Sequence, residues 1–165
     1  MISDHDIWTV LKEVKDPEVP VLSVVDLGII RSVDVKLNNG SEEIYITITP
    51  TYSGCPAMDV ISMDIRLKLI EKGFNKVNIQ QQLSPAWTTD WMTESGKEKL
   101  KAYWIAPPNP KQQFCKEEMF MEELVACPRC NSHHTILISE FGSTACKSMY
   151  RCNDCKEAFD YFKCH

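Results

Sequence analysis

The sequence predicts an α+β protein: a small sheet domain in the order α-β-β-α-β-α, followed by a second, smaller, cysteine-rich domain. Three observations carry this expectation. Apolar residues recur at helical spacing in some segments and alternate in others. An Asn-Gly pair and single glycines stand where turns and helix ends need them. Six of the eight cysteines fall in the last 39 residues, beyond a proline-rich run.

Ser3 is placed to cap a first helix with an apolar stripe of Ile7, Leu11 and Val14. In Asp16-Pro17-Glu18-Val19-Pro20, Pro17 disfavours helical geometry at the residue before it, so the helix ends there. A loop runs through Asp26-Leu27-Gly28. Ile30 to Leu37 reads as a strand, and Asn38-Asn39-Gly40-Ser41 as a hairpin turn suited to positive φ. Ile44, Ile46 and Ile48 alternate in the next strand. After a loop over Pro50 to Gly54, Pro56 to about Lys72 reads as a long helix that Gly73 closes. Val77 and Ile79 mark a third strand. An aromatic loop with Trp87 and Trp91 precedes a helix from about Glu94 to Trp104.

Ala106-Pro107-Pro108-Asn109-Pro110 can continue neither helix nor sheet. The expected domains are therefore 1–105, the α+β sheet domain; 106–123, a proline-rich linker with a short helix; and 124–165, the cysteine-rich domain. Within the last, Thr135 to Ser139, Lys147 to Arg151 and Phe159 to Phe162 suggest strands.

Composition excludes several classes. With 165 residues, 44% hydrophobic and 25% charged, the chain can bury a core and is not wholly disordered. No stretch approaches the ~18 consecutive apolar residues of a spanning helix, so no membrane role is expected. The start, MISDHDIWTVLKEVKD, lacks a basic and then apolar leader pattern, which places the chain in the cytoplasm. A net charge of −5 argues against nucleic-acid binding. From Leu124 onward the balance is 5 basic and 4 acidic residues, with no basic stripe.

In a reducing compartment, clustered cysteines read as metal ligands rather than disulfides. Cys127-Pro128-Arg129-Cys130 and Cys152-Asn153-Asp154-Cys155 are two C-x-x-C knuckles separated by 21 residues. Zn²⁺ takes four thiolates in a tetrahedron at ~2.3 Å, and each knuckle supplies two from one tight loop. With the intervening strands this is the layout of a zinc ribbon holding a closed structural zinc. Iron in a rubredoxin-like site is the rival reading, because the first knuckle resembles one of rubredoxin's. Cys146, Cys164, His133 and His134 are spare ligands. The terminal Cys164-His165 pair could form a second thiol site, and Cys115 stands alone beyond the proline run.

Cys55 is different. It lies in Thr49-Pro50-Thr51-Tyr52-Ser53-Gly54-Cys55-Pro56, near the N-cap of the long helix. Unpaired N–H groups and the positive end of the helix macrodipole favour negative charge there. A phosphatase C-x5-R loop would need Arg at 61, where Ile61 stands, and a thioredoxin motif would need Cys at 58, where Met58 stands. Labile iron or cluster ligation fits a single thiol with no resolving partner; a small buried cysteine filling a loop is the bland alternative. Asp16, Glu18 and Asp26 are loop carboxylates that could assist Cys55 or simply form turns. Trp87 and Trp91 are either a partner-binding lip or core. Met119, Phe120 and Met121, flanked by Glu117, Glu118, Glu122 and Glu123, read as a solvated helix whose Met/Phe set could dock a partner.

Taken together, Asp16-Pro17-Glu18-Val19-Pro20, Asp26-Leu27-Gly28-Ile29-Ile30 and the Thr49–Pro56 segment resemble the iron–sulfur assembly family. That family includes bacterial SufT and the eukaryotic cytosolic cluster-targeting factors, and the likeness covers roughly residues 3–82. The Ala86-Trp87-Thr88-Thr89-Asp90-Trp91 segment and, in the tail, Phe141-Gly142-Ser143-Thr144-Ala145-Cys146-Lys147 and Phe159-Asp160-Tyr161-Phe162-Lys163-Cys164-His165 extend it. With them the whole chain resembles the D-subunit family of multicomponent phenylacetyl-CoA epoxidases of aerobic phenylacetate degradation. The resemblance implies an accessory factor that helps mature or deliver the iron–sulfur cluster of the reductase component. It implies a transient cluster or iron on Cys55, with Asp16, Glu18, Asp26, Thr51 and Ser53 as supporting motif positions. Its partners would be the reductase and oxygenase subunits. One thiolate is too few for a cluster, so the ligation is expected across a homodimer or with the recipient. The sequence contains no Glu-x-x-His, the motif a di-iron oxygenase site needs, so independent catalysis is not expected. The alternative is a non-catalytic scaffold subunit of the same complex; a thiol enzyme using Cys55 is a third reading.

Overall fold

The computed structural model describes residues 3–108 and 125–163. It is an α+β structure with three α-helices and two small sheets, in two compact units that divide between Thr93 and Glu94.

In the first unit, helix α1 (Asp4–Leu11) begins on a capping box. The Asp6 N–H donates to the Ser3 hydroxyl at 3.3 Å, and the Ser3 N–H donates back to the Asp6 carboxylate at 3.2 Å. Strands β1 (Ile30–Asn38) and β2 (Ser41–Ile48) form the expected hairpin, with Asn39 and Gly40 both at positive φ. Helix α2 (Ala57–Glu71) then leads to β3 (Val77–Gln81), which lies parallel to β2, so β2 is the central strand of the order β1-β2-β3. Ile44, Ile46 and Ile48 of β2 and Ile61, Ile65 and Leu69 of α2 are all at most 2% exposed and form the core with Ile7 and Leu11 of α1. A 3-10 turn (Thr89–Trp91) ends this unit.

The second unit begins with α3 (Glu94–Ala102), which the sequence placed in the N-terminal sheet domain. Its reason for grouping differently is β4 (Ile105–Ala106), just before the prolines. β4 pairs in parallel with β7 (Ala158–Phe162), Ile105 opposite Asp160 and Ala106 opposite Tyr161. A two-residue strand whose partner lies over fifty positions away leaves no local pattern. With β5 (Thr135–Ser139) and β6 (Lys147–Cys152) it completes a sheet of order β4-β7-β6-β5. Tyr150, Phe159 and Tyr161 pack as its aromatic core, with Tyr150 stacked 6.0 Å from Phe159 and edge-on 5.6 Å from Tyr161. No helix among the described residues is long and apolar enough to cross a membrane. The expected linker helix around Met119, and Cys115, Cys164 and His165, lie outside the described residues.

Candidate functional site: a cysteine loop and a four-thiol centre

Two loops meet at one end of the β1–β2 hairpin. The Asp26-Leu27-Gly28 loop feeds β1, and the cysteine loop leaves β2. Ile30 pairs with Ile48, and the Thr49 N–H donates to the Ile29 carbonyl at 2.8 Å. Cys55 is a free, half-buried thiol two residues before α2. Its N–H donates to the Tyr52 carbonyl at 3.3 Å, a turn that Gly54 permits at φ +77. Pro56 begins the helix without offering a side-chain cap, so the α2 N-terminus carries no protein carboxylate or hydroxyl of its own at the cap. Thr51 and Ser53 lie in the same loop. In the first residue after β2, the buried Thr49 hydroxyl has no hydrogen-bond partner among the described residues.

The acidic motif residues shape backbone. Asp16 is 8% exposed, and one carboxylate oxygen accepts from the N–H groups of both Glu18 and Val19 at 2.7 Å. This folds the Asp-Pro-Glu-Val-Pro run into a tight loop, which backbone bonds between Asp16 and Leu22 and between Val24 and Val14 close. Asp26 is 6% exposed. It accepts from the Ser23 N–H at 2.9 Å and the Ser23 hydroxyl at 2.8 Å, and its other oxygen accepts from the Thr93 hydroxyl at 3.3 Å.

The aromatic segment braces the Asp26 loop from behind. Trp87 is buried and donates its indole N–H to the Leu27 carbonyl at 2.9 Å. Gly28 lies at φ +70 against the Trp91 carbonyl, where an added Cβ would come within 1.9 Å of the oxygen. Trp91 is covered in turn by the Arg31 guanidinium, 3.6 Å from the ring centroid. Arg31 and Thr93 carry no sequence signal of this role, because their partners are distant along the chain.

The second centre is built from two equivalent knuckles. In each, the residue four positions after the first cysteine adopts a left-handed conformation: Asn131 at φ 60 and Lys156 at φ 66. The Cys127 N–H donates to the Ser132 carbonyl and the Cys152 N–H to the Glu157 carbonyl, both at 2.9 Å. The sulfurs of Cys127, Cys130, Cys152 and Cys155 all lie within 4.8 Å of one another. Cys127 and Cys155 are 3.7 Å apart, and Cys130 and Cys152 3.5 Å. Four thiolates around a metal at ~2.3 Å would stand about 3.8 Å apart, so the donor set and its spacing fit a tetrahedral ion. Outside the thiols, Asp154 of the second knuckle accepts from Ser132 and contacts His134 at 3.3 Å, and Arg129 pairs with Glu157 at 2.6 Å. Cys146 is buried with its sulfur 3.0 Å from the Thr144 hydroxyl, and it, His133 and His134 stand outside the four-sulfur group.

Electrostatics favours a cation among these sulfurs. The Cys155 N–H donates to Cys152 and pulls that thiol down to about 7, with the Asp154 N–H and the Cys130 thiol adding to the effect. The Glu157 N–H likewise favours ionised Cys155, yet burial and the adjoining thiols of Cys152, Cys127 and Cys130 outweigh it and push Cys155 up to about 12. Neighbouring sulfurs resist sharing negative charge unless a metal sits among them.

Comparison with known proteins follows this division. A family model described as iron–sulfur cluster assembly protein matches residues 4–80, and one described as PaaD zinc beta ribbon domain matches residues 111–163. The chain is 50% identical over 97% of its length, and 92% of the relative's, to the Escherichia coli (strain K12) protein described as the D subunit of 1,2-phenylacetyl-CoA epoxidase. It is 38% identical to an Fe-S protein maturation auxiliary factor of Porphyromonas gingivalis (strain ATCC BAA-308 / W83), over 59% of this chain and 90% of that one. The crystal structure of a DUF59 domain from Bacillus anthracis superposes with a TM-score of 0.53 at 27% identity, covering 59% of this chain and 90% of the other. The chain therefore belongs to the PaaD family of epoxidase D subunits, in which an iron–sulfur assembly domain is joined to a zinc ribbon.

Proposed function

We propose that the chain is a cytoplasmic accessory subunit that matures or delivers the iron–sulfur cluster of the reductase component of a phenylacetyl-CoA epoxidase, without catalysis of its own. The observation that carries this reading is Cys55: a free thiol at the carboxyl end of the central strand, just before an uncapped helix N-terminus. Iron or a cluster is cargo here. Cys55 supplies one thiolate, and the helix N-terminus favours the negative charge that such cargo brings. The remaining ligands come from the recipient or a second copy, because clusters usually take four. Asp16 fixes the Asp-Pro-Glu-Val-Pro loop through the Glu18 and Val19 N–H groups and Asp26 fixes the loop that enters β1, while Glu18, Thr51 and Ser53 offer further polar groups to the site.

Cys127, Cys130, Cys152 and Cys155 would hold zinc as a closed structural site, and zinc there supplies cross-linking rather than chemistry. The ribbon presents a folded surface to the oxygenase and reductase subunits. Metal analysis of anaerobically purified chain tests both assignments. Wild type and Cys55→Ser should each carry about one zinc, and only wild type should take up iron on reconstitution. Equal iron uptake by the two would remove Cys55 from the role.

The scaffold reading has one observation in its favour. Val60, Met63, Leu67 and Ile70 leave an exposed apolar stripe along α2, a surface suited to permanent assembly. It predicts stable copurification with the catalytic subunits and indifference to Cys55→Ser.

A further inference from the structure

The sheet of the second unit ends on β5, and no described strand pairs with its outer edge. β5 reads Thr135-Ile136-Leu137-Ile138-Ser139. Natural edge strands are usually blunted by lysine, proline, an inward-pointing charge or a bulge; this one has no lysine, proline or charge, and a single bulge is its one such device. Ile136, Leu137 and Ile138 are 48%, 49% and 51% exposed, so the strand is apolar on both faces. Leu137 stands opposite Tyr150, a member of the buried aromatic core. Leu137 thus belongs to the core face and is half exposed only because the sheet stops beside it. Ile138 is the extra residue of a bulge, since pairing passes from Leu137–Tyr150 to Ser139–Met149.

We propose that β5 is a self-association edge. Two copies of the chain would pair their β5 strands antiparallel about a two-fold axis at Leu137, joining their sheets into one. The occupant is a second copy because the segment is self-complementary under that operation. Leu137 meets Leu137, Ile136 meets Ile138, and Thr135 meets Ser139. At the ends, Glu140 of each copy meets His134 of the other, whose ring already contacts Asp154 of its own copy through Nδ1 and so has Nε2 left to offer. A two-fold contact also hides both edges and stops further strand addition. The apolar stripe on α2 lacks this property. Its 3-4-3 spacing would set Asp59 against Asp64 and Arg66 against Glu71 in a parallel pair, and Asp64 against Glu71 and Asp59 against Arg66 in an antiparallel one, so in either case a repulsive flanking pair cancels the attractive one. The inference does not depend on Cys55.

Sedimentation equilibrium of the zinc-loaded full chain, from low to high micromolar concentration, tests it. Wild type and Cys55→Ser should dimerise, and β5 amides should gain exchange protection as concentration rises. Leu137→Lys, which sets lysine against lysine across the two-fold axis, should weaken the dimer at least tenfold, and Ile138→Lys, which sets a lysine against Ile136 twice per dimer, should weaken it severalfold. Unchanged zinc content shows that a variant's ribbon still folds; if Leu137→Lys loses zinc, Ile138→Lys and the exchange data decide. A wild type that stays monomeric would overturn the proposal. So would a dimer that survives both substitutions, or one that Met63→Lys on α2 breaks instead.

Discussion

Asp26 and Gly28 serve one loop by different means. The Asp26 carboxylate accepts from the buried Ser23 N–H and hydroxyl and from the part-buried Thr93 hydroxyl. Asp26→Ala should cost about 2 kcal/mol, because the buried Ser23 donors remain without that acceptor. Gly28 supplies a positive φ and room for the Trp91 carbonyl. Gly28→Ala should cost roughly 3 kcal/mol, whereas Gly54→Ala, whose added Cβ meets nothing within 4 Å, should cost only about 1 kcal/mol. Chemical denaturation of the three variants measures the ranking; equal costs at the two glycines would mean the Trp91 contact is not limiting. Asp6 adds a pH dependence. The Ser3 hydroxyl and N–H hold its carboxyl below the usual carboxylate range. A depressed folded value means the cap stabilises α1 above the unfolded value and fades as pH falls through the folded one. Asp6→Asn should flatten that acid response in the amide exchange of the first turn. The Asp-Leu-Gly motif stands out in the sequence, but its purpose does not. Thr93 lies 67 positions from Asp26, and only the fold brings it there.

At the scale of elements, α2 shows why periodicity reads boundaries better than faces. Pro56 and Gly73 punctuate the helix to within a residue or two. Its apolar residues run almost all round, so the sequence alone cannot separate the buried stripe of Ile61, Ile65 and Leu69 from the exposed one of Val60, Met63, Leu67 and Ile70. Ile65→Ala should cost about 3 kcal/mol, and Met63→Ala within about 0.5 kcal/mol of nothing. Comparable losses in thermal stability for both would indicate that the outer stripe is covered in the isolated chain. The zinc knuckles are legible because C-x-x-C spacing is local and the chemistry demands it. A chelator should melt the sheet of β4 to β7 by circular dichroism, since a unit with so small an aromatic core depends on its cross-link. With Cys152 near 7 and Cys155 near 12 in the metal-free thiols, protons compete with the ion at neutral pH. Zinc affinity should therefore rise with pH, read by competition titration; pH-independent affinity would mean the four sulfurs are not the ligands.

For the molecule as a whole, the order of elements in the first unit and the two-part division follow from local signals: an Asn-Gly turn, helix-ending glycine, clustered thiols. The position of the division does not. The proline run suggests it near residue 106, while compactness puts it between Thr93 and Glu94, because β4 is spoken for by β7. The candidate site is legible in the same uneven way. The four C-x-x-C thiols announce themselves by spacing and Cys55 by its place just before a helix, whereas the bracing of the Asp26 loop by Trp87, Trp91, Arg31 and Thr93 is wholly a product of tertiary structure. The proposed function separates two kinds of cysteine: four grouped closely enough to share one metal ion, and Cys55, proposed to handle cargo. The most direct test is the cluster content of the epoxidase reductase component matured with either wild type or Cys55→Ser, both confirmed to carry zinc. The account predicts that the reductase is filled with its cluster by wild type and left several-fold deficient by Cys55→Ser. Equal cluster content in the two would contradict it.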